Sequence, residues 1–210
     1  MYSCGNIARL ADEITTCLDL YRDHGDADYI GEEVSQLQHA LQCAHHASAQ
    51  YPDYPEVILG AFFHDVGHLI ALDNGKTINM NFNNKSMDGL GLEKHEEIGG
   101  DFLDYMGFPK TVGNFARNHI VAKRYMITND KSYYDNLSEA SKQTFWKQGG
   151  NLDEDQCYTF VDDPNHTIYL ECRLWDDMAK AKKFEYKFGL DYIEILAREV
   201  IFDRYNQHSD

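Results

Sequence analysis

The sequence has few cysteines and no arrangement of them that is typical of a disulfide framework. An odd number is present, with no Cys-x-x-Cys pair and no zinc-ribbon spacing: Cys4, Cys17, Cys43, Cys157 and Cys172. Such usage favours a reducing compartment over a small secreted scaffold held together by disulfides. We therefore interpret all five as structural residues.

Apolar runs of membrane length are also missing. The longest candidate, 57–72, is interrupted by His64, Asp65 and His68. It falls short of the roughly 18–20 residues that span a bilayer. The first residues contain Arg9 and soon afterwards Asp12, without the long apolar core of a secretory signal. These absences predict a soluble, cytoplasmic protein with no membrane partner.

Basic residues are scarce as well. The chain has 19 Lys and Arg against 35 Asp and Glu, which gives a formal net charge of −16 at pH 7. That excess of negative charge disfavours binding to nucleic acid or to an anionic membrane surface. An anionic substrate would need a local basic pocket that works against the field of the whole molecule.

What the sequence does have is helical periodicity over almost its whole length. Hydrophobic residues make up 43% of the 210 residues, and no linker interrupts them, so we expect one domain that covers 1–210. Apolar spacing predicts helices at 7–21, 34–44, 55–69, 93–106, 111–126, 137–146, 153–161, 170–182 and 189–205. Pro55 is expected at the first position of the third helix, and Asp135 or Asn136 as the cap of the sixth. The predicted fold class is all-α, a helical bundle, with one long loop from Asp73 to Gly91.

The segment AFFHDVGHLI, 61–70, places polar side chains inside an apolar strip. An unpartnered buried polar group costs roughly 2–7 kcal/mol. A hydrogen-bonded core pair or a metal ion could offset that cost, because neutral His and ionised Asp are good ligands for first-row metals. His68 lies four residues after His64 on the same helical face, where a contact role is favoured over ligation. For His64 and Asp65 taken alone, the core pair is the favoured interpretation.

The rest of the chain changes that balance. His39, His64-Asp65, His95, His119 and Asp176 each lie in or at the end of a predicted helix. Ligands from facing helices could hold two metals bridged by the Asp65 carboxylate. The order H…HD…H…H…D resembles the HD-domain superfamily, most of whose members are metal-dependent phosphohydrolases. The resemblance implies an HD-domain bundle with a dinuclear metal site in its core.

Four further stretches point to a different branch of that superfamily. They are 28–32 (DYIGE), 120–125 (IVAKRY), 137–144 (LSEASKQT) and Arg173-x-x-Asp176. Together they resemble the HD-domain mixed-valent di-iron oxygenase family, which includes enzymes acting on 2-amino-1-hydroxyethylphosphonate and on its trimethylammonio analogue. The resemblance covers about 28–180.

This resemblance implies a ligand set and a substrate pocket. Its two irons, Fe(II) and Fe(III), would be held by His39, His64, Asp65, Asp176, His95 and His119, with Tyr29 as a removable ligand. Tyr29, Glu32 and His68 would act in catalysis. Substrate contacts would come from Glu32, His68, Lys123, Ser141, Thr144 and Arg173.

The function implied by the resemblance is O2-dependent cleavage of the C–P bond of a small organophosphonate. The products would be glycine or glycine betaine, plus inorganic phosphate, and an upstream hydroxylase would install the C1 hydroxyl. Whether the substrate amine is primary or trimethylated stays open. The alternative is an HD-domain phosphohydrolase that acts on a small phosphate ester.

Overall fold

The structure is a computed structural model that describes residues 4–29, 31–73, 86–87 and 91–207. Within these residues it contains eleven α-helices and no strand, apart from isolated bridges between Asp28 and Ser35 and between Ser86 and Leu92. The helices are α1 (Cys4–His24), α2 (Gln36–Gln50), α3 (Pro55–Phe63), α4 (Val66–Asp73), α5 (His95–Tyr105), α6 (Lys110–Asn129), α7 (Lys131–Asn136), α8 (Glu139–Lys147), α9 (Glu154–Asp162), α10 (His166–Met178) and α11 (Leu190–Gln207). The predicted all-α class is confirmed.

The helix starts follow local chemistry. Pro55 occupies the first turn of α3, as predicted, where its missing N–H costs no hydrogen bond. Ser35 and Gln38 form a capping box at the start of α2, each side chain bonding the other residue's backbone N–H. This cap fixes the entry of α2, the helix that carries His39.

The core lies where α2, α3, α6 and α10 pack together. Helix α5 packs on α6 and α4, while α1 and α11 pack on each other and against α3 and α4. Phe62 and Phe63 are fully buried and contact each other edge to face, with Tyr21 and Phe108 against them. This aromatic cluster anchors the end of α3 immediately before His64.

The third predicted helix is broken, which corrects the expectation of one helix over 55–69. Helix α3 ends at Phe63 and α4 begins at Val66, and their axes differ by 48°. Neighbouring residues of a continuous helix point about 100° apart. The corner instead brings the side chains of His64 and Asp65 together, with His64 Nε2 3.3 Å from Asp65 Oδ2.

Gly67 permits the close approach of α4 to the start of α5. A Cβ at this position would lie 2.1 Å from the carbonyl oxygen of His95. Only a residue without a side chain fits such a contact. The glycine therefore helps to bring His95 towards the His64–Asp65 corner.

Other element boundaries also differ from prediction. Helix α7 was not predicted, and α8 is capped by Ser138, whose hydroxyl accepts from Ser141 N, rather than by Asp135 or Asn136. Helix α10 ends at Met178, so the predicted extension to residue 182 is wrong. Residues 179–189, which we call the strap, are non-helical and connect α10 to α11.

The predicted loop from Asp73 to Gly91 is only partly described. Residues 74–85 and 88–90 lie outside the described residues, Asp73 ends α4, and Met87 is buried. Among the helices that the structure describes, none alone is long and apolar enough to cross a bilayer; α3 and α4 pass that test only as a bent pair.

Candidate metal centre and active site

The six predicted metal ligands converge in the middle of the bundle. All are buried, with at most 8% of each residue exposed. His39 comes from α2, His64 and Asp65 from the α3–α4 corner, His95 from the first turn of α5, His119 from α6 and Asp176 from α10. Residues up to 137 positions apart in sequence therefore share one cluster, as the spacing predicted (176 − 39 = 137).

Each imidazole of the cluster is held through its Nδ1 atom. The four hydrogen bonds run from His39 to Ala179 O (3.0 Å), from His64 to Ala61 O (2.8 Å), from His95 to Leu92 O (3.1 Å) and from His119 to Ala116 O (2.7 Å). Because a carbonyl oxygen only accepts, each Nδ1 carries the proton. Every Nε2 is thus left as a potential metal ligand, in the tautomer that ligating histidines commonly adopt.

The Nε2 atoms face one another in two pairs. His39 Nε2 lies 3.4 Å from His64 Nε2, and His95 Nε2 lies 3.1 Å from His119 Nε2. Since neutral imidazoles of this tautomer direct lone pairs at each other, each pair requires a cation. The close approach of the Nε2 atoms within each pair therefore fits the binding of a metal ion between them.

Asp65 lies between the two histidine pairs. Its Oδ2 is 3.3 Å from His64 Nε2 and 3.7 Å from His39 Nε2, whereas its Oδ1 is 3.3 Å from the Nε2 atoms of both His95 and His119. One carboxylate oxygen thus serves each half of the cluster. This is the geometry expected of a carboxylate that bridges two metal ions.

Asp176 completes the half formed by His39 and His64. Its oxygens lie 3.6 Å from His39 Nε2 and 3.8 Å from His64 Nε2. Burial opposes its ionisation, yet the adjacent Arg173 guanidinium and the two imidazoles hold the pKa of Asp176 well below its usual range. Asp176 is therefore ionised across the neutral pH range, as the predicted ligand role requires.

A proton occupies the His39–His64 pair when no metal does. Although burial opposes a charge on His64, the carboxylates of Asp65 and Asp176 raise the pKa of His64 from 6.5 to about 9. Burial lowers the pKa of His39 to about 4, with the neighbouring His64 adding to the effect. A metal ion entering this half must displace that proton.

Tyr29 covers the same half from the cavity side. Its hydroxyl donates to Asp65 Oδ2 at 3.0 Å and lies 3.4 Å from Asp176 Oδ1, and its ring stacks on His39 with centroids 3.8 Å apart. Burial and the two carboxylates raise the pKa of Tyr29 well above 10. The residue is placed to reach a metal held by His39, His64 and Asp176.

His68 lies beside the other half. Its ring stacks on His95 at 3.9 Å, and its Nδ1 accepts from the Leu92 backbone N–H at 3.3 Å. A neutral His68 therefore carries its proton on Nε2 and lines the cavity as a donor. His68 also forms, with Asp65 and His95, a group whose ligand atoms all lie within 4.8 Å of one another, so its contact role stays a prediction.

A cavity of about 60 Å³ opens from the cluster towards α8. Its wall includes every substrate-contact residue predicted from the sequence: Glu32, His68, Lys123, Ser141, Thr144 and Arg173. A wider cleft of about 580 Å³ beside Tyr54 and Arg204 contains none of the predicted site residues.

Two buried cations face this cavity. Lys123, 2% exposed, donates from Nζ to Thr144 Oγ1 at 3.1 Å. Burial and the nearby Arg173 lower the pKa of Lys123 from 10.5 to about 7. Arg173 donates hydrogen bonds to Tyr133, Asp176 and Asp177. Burial opposes its charge, but these acidic partners raise the pKa of Arg173, so the guanidinium stays protonated.

Lys180 is a site residue that the sequence reasoning missed. It lies in the strap and lines the cavity, where its Nζ donates to Ser141 Oγ at 3.2 Å and lies 3.2 Å from Glu32 Oε1. Its position four residues after Asp176 gave no usable signal, because α10 ends at Met178 and residue 180 is not helical.

Gln148 and Cys43 were also missed as neighbours of the site. Gln148 lines the cavity, and among the described residues its buried Oε1 has no hydrogen-bond donor. Gln148 follows the predicted substrate contact Thr144 by four residues, about one helical turn, and this spacing could have indicated that it lies near the site. Cys43 Sγ lies 3.6 Å from His39 Nε2, one helical turn along α2.

Comparison with known proteins gives the chain its family. No protein-family model matches the chain. The [1-hydroxy-2-(trimethylamino)ethyl]phosphonate dioxygenase (glycine-betaine-forming) of Leisingera caerulea is 32% identical over 79% of this chain and 79% of its own length. The hydroxymethylphosphonate dioxygenase of Gimesia maris is 33% identical over 81% of this chain and 80% of its own length. The chain belongs to the phosphonate dioxygenase family.

A third relative matches a longer part of the chain than the two phosphonate dioxygenases do. An uncharacterized protein of Acanthamoeba polyphaga mimivirus, L432, is 36% identical over 96% of the chain and 87% of its own length. The similarity thus includes the segments that carry all six predicted ligands. The chain is an oxygenase-family enzyme with a His/Asp cluster that could hold a metal ion, and the resemblance seen in its motifs is confirmed at the level of the family.

Proposed function

We propose that the chain is a non-haem di-iron oxygenase that cleaves the C–P bond of 1-hydroxy-2-aminoethylphosphonate with O2, giving glycine and inorganic phosphate. One observation carries the proposal. A cluster of facing histidine pairs, bridged by Asp65, opens onto a small cavity whose other wall holds Lys123 and Arg173 beside hydroxyl groups. The cavity thus joins a metal centre to an anion site in a chain of net charge −16.

The ligands fit two iron ions. His39, His64 and Asp176 would hold one, His95 and His119 the other, and Asp65 would bridge them; mixed imidazole and carboxylate donors suit both ferrous and ferric iron. When bound, the irons supply the redox chemistry with O2 that breaks a C–P bond, which resists simple hydrolysis.

The protein's own residues bind and orient the anionic end of the substrate. The Lys123 ammonium and the free N–H groups of Arg173 are positioned for phosphonate oxygens, and the Ser141 and Thr144 hydroxyls supply further hydrogen bonds. Arg173 cannot turn away, because Tyr133, Asp176 and Asp177 fix its guanidinium. The phosphonate is therefore held in one orientation relative to the metals.

The other end of the cavity favours a primary ammonium group. Glu32 Oε1 is buried and lies 3.2 Å from the Lys180 ammonium, so it already pairs with one primary ammonium and can pair with that of a substrate. A quaternary ammonium prefers an aromatic surround. Among the described residues that line the cavity, Tyr29 is the one Phe, Tyr or Trp.

Tyr29 and His68 act on opposite halves of the centre. Tyr29 covers the His39 half and must leave its hydrogen bonds to Asp65 and Asp176 when substrate occupies that side. His68 presents an N–H donor to the cavity beside His95 and orients the substrate hydroxyl or a phosphonate oxygen. Displacement of Tyr29 thus makes room for the substrate, and the hydrogen bond from His68 orients it.

The reaction balances without a further reductant. One hydroxyalkylphosphonate dianion and one O2 give one carboxylate, one hydrogen phosphate dianion and one proton. The substrate must already carry its C1 hydroxyl, so an upstream hydroxylase has to supply it.

The test is phosphate release by protein reconstituted anaerobically with ferrous iron and then exposed to O2. We expect release from 1-hydroxy-2-aminoethylphosphonate in the presence of O2 and none in its absence. The trimethylammonio analogue and hydroxymethylphosphonate, run in parallel, establish the substrate class. Faster turnover of the trimethylammonio analogue would overturn the choice of a primary amine.

A phosphohydrolase remains the competing function, because paired metals on a His/Asp cluster also activate water. It would release phosphate from small phosphate esters with Mn(II) in the absence of O2. That result, together with inactivity towards all three phosphonates, would replace the oxygenase.

A further inference from the structure

The strap, residues 179–189, is docked on one face of α2. His39 Nδ1 donates to Ala179 O, and His45 Nε2 accepts from Lys187 N at 2.8 Å while its ring stacks on Phe188 at 3.8 Å. Residues 39, 42 and 45 of α2 are three positions apart and share a face. These contacts of the strap therefore come from one face of α2, the helix that also carries the predicted metal ligand His39.

Gln42 forms the central contact of this docking surface. It is fully buried, and its side-chain amide makes both backbone hydrogen bonds of Ala181: Nε2 donates to Ala181 O at 3.1 Å and Oε1 accepts from Ala181 N at 3.0 Å. Nε2 also lies 3.3 Å from the Tyr186 hydroxyl. We call this pair of backbone hydrogen bonds the Gln42 clamp.

The clamp and His39 hold the backbone on both sides of Lys180. Ala179 O is fixed by His39 and Ala181 by Gln42, at 3.0 Å and 3.0–3.1 Å respectively. Between them, the Lys180 side chain extends into the cavity to Ser141 and Glu32. Because Lys180 is not in a helix, these contacts with α2 determine where its side chain starts.

We propose that Gln42 is a positioning residue, whose clamp places Lys180 in the anion site and holds the Ala179 carbonyl against the metal ligand His39. The part concerning Lys180 rests on the proposed function, in that it treats the cavity as the site of an anionic substrate. Losing the clamp frees the start of the strap. Both the Lys180 ammonium and the partner of His39 Nδ1 then lose their fixed positions.

The test compares Gln42→Met with Gln50→Met. Methionine keeps the length of the side chain but neither hydrogen bond. Gln50, an exposed residue of the same helix, is the control, because it accepts a hydrogen bond from Trp175 Nε1 of α10 and forms no hydrogen bond with the described residues of the strap. Gln42→Glu, which retains an acceptor for Ala181 N, serves as the conservative variant and as a second measurement if Gln42→Met folds poorly.

Three readouts decide the proposal. Hydrogen exchange in the metal-free protein should be faster at the Ala181 amide in Gln42→Met, and unchanged in Gln50→Met. Affinity for ferrous iron should fall by about tenfold, the lower end of the effect of losing a group that orients a ligating histidine. Binding of inorganic phosphate to the iron-loaded, anaerobic protein should weaken by about tenfold as well, since a charge-assisted contact is lost.

A double-mutant cycle identifies the route of the effect. If Gln42 acts on the anion site through Lys180, then Gln42→Met adds no further loss of phosphate affinity to Lys180→Ala. Fully additive losses, or an Ala181 amide as protected as in the unmodified protein, would overturn the proposal. None of these readouts uses C–P bond cleavage, so the clamp can fail while the oxygenase stands, and the reverse.

Discussion

At the scale of single residues, the chemistry of the pocket depends most on Lys123. Its ammonium is almost fully buried, and burial together with Arg173 brings its pKa down to about 7. Only the protonated amine attracts a phosphonate. Substrate binding by the free enzyme should therefore weaken as the pH rises through about 7, and a bound dianion should raise the pKa again.

The measurement is kcat/KM against pH between about 6 and 9 for the natural protein, Lys123→Arg and Lys123→Ala. The guanidinium of Lys123→Arg stays charged, so its profile should lack the fall above pH 7. Lys123→Ala should raise KM by roughly 10–100-fold, the loss expected for a hydrogen bond to a charged group. Lys131→Ala, an exposed lysine just beyond α6, is the control and should change neither quantity. A fall above pH 7 that persists in Lys123→Arg would assign the titration to another group.

The order of His and Asp residues and the family resemblance selected six candidate ligands, and the structure brings all six into one cluster. They are His39, His64, Asp65, His95, His119 and Asp176. Lys180 could not be chosen in the same way, since lysine is common on surfaces and its burial depends on the strap. Its burial follows from the fold of residues 179–189, for which periodicity gives no signal.

At the scale of secondary-structure elements, the approach of α4 to α5 determines how close His95 comes to the corner. We predict that Gly67→Ala destabilises the protein by about 1–3 kcal/mol, the usual cost of overpacking. The added Cβ would meet the His95 carbonyl at 2.1 Å, and backbone rather than a flexible side chain must move. The displaced His95 should also weaken metal binding at the half it shares with His119.

Thermal unfolding and metal titration check this prediction against Gly189→Ala. A Cβ at Gly189 meets no atom within 4 Å, so that variant changes the same residue type without a clash. Its melting temperature should stay close to that of the unmodified protein, whereas Gly67→Ala should melt several degrees lower, at about 2–4 °C per kcal/mol for a chain of this size. Equal melting temperatures for the two variants would contradict the prediction, because α4 and α5 could then move apart without loss of folding free energy.

The element boundaries show where periodicity stops being informative. Pro55 and the apolar spacing placed the start of α3, because a proline at the first turn and the i, i+3, i+4 pattern are local signals. The break at His64 is not local. A continuous helix over 55–69 satisfies the same pattern, and the bend is favoured only by the tertiary contacts that bring His64 and Asp65 to a common centre.

At the scale of the whole molecule, the buried cluster couples folding to metal and to pH. Six polar side chains from five segments are buried together, and metal bound to the native state but not to the unfolded chain stabilises the fold. In the metal-free protein, Asp65 and Asp176 instead raise the pKa of His64 to about 9, so a proton on His64 offsets part of their negative charge. The two states should therefore respond to pH in opposite ways.

The sign follows from the pKa of His64, about 9 in the folded metal-free protein against 6.5 for an ordinary histidine. A raised pKa contributes stability that is fully present below 6.5 and is lost as the pH rises through about 9. Metal competes with that proton, so metal affinity increases over the same window. The fall in melting temperature on adding a chelator should thus be larger at about pH 8.5 than at about pH 6.5.

Calorimetry in buffers of different ionisation enthalpy provides the direct measurement. At about pH 7.5, metal binding should release about one proton, because His64 is protonated before and neutral after ligation. His64→Gln should abolish most of this release while keeping a neutral side chain in the corner. If both proteins release the same number of protons, the released proton comes from a group other than the His39–His64 pair. The charge of this pair would then not cause the pH dependence of folding.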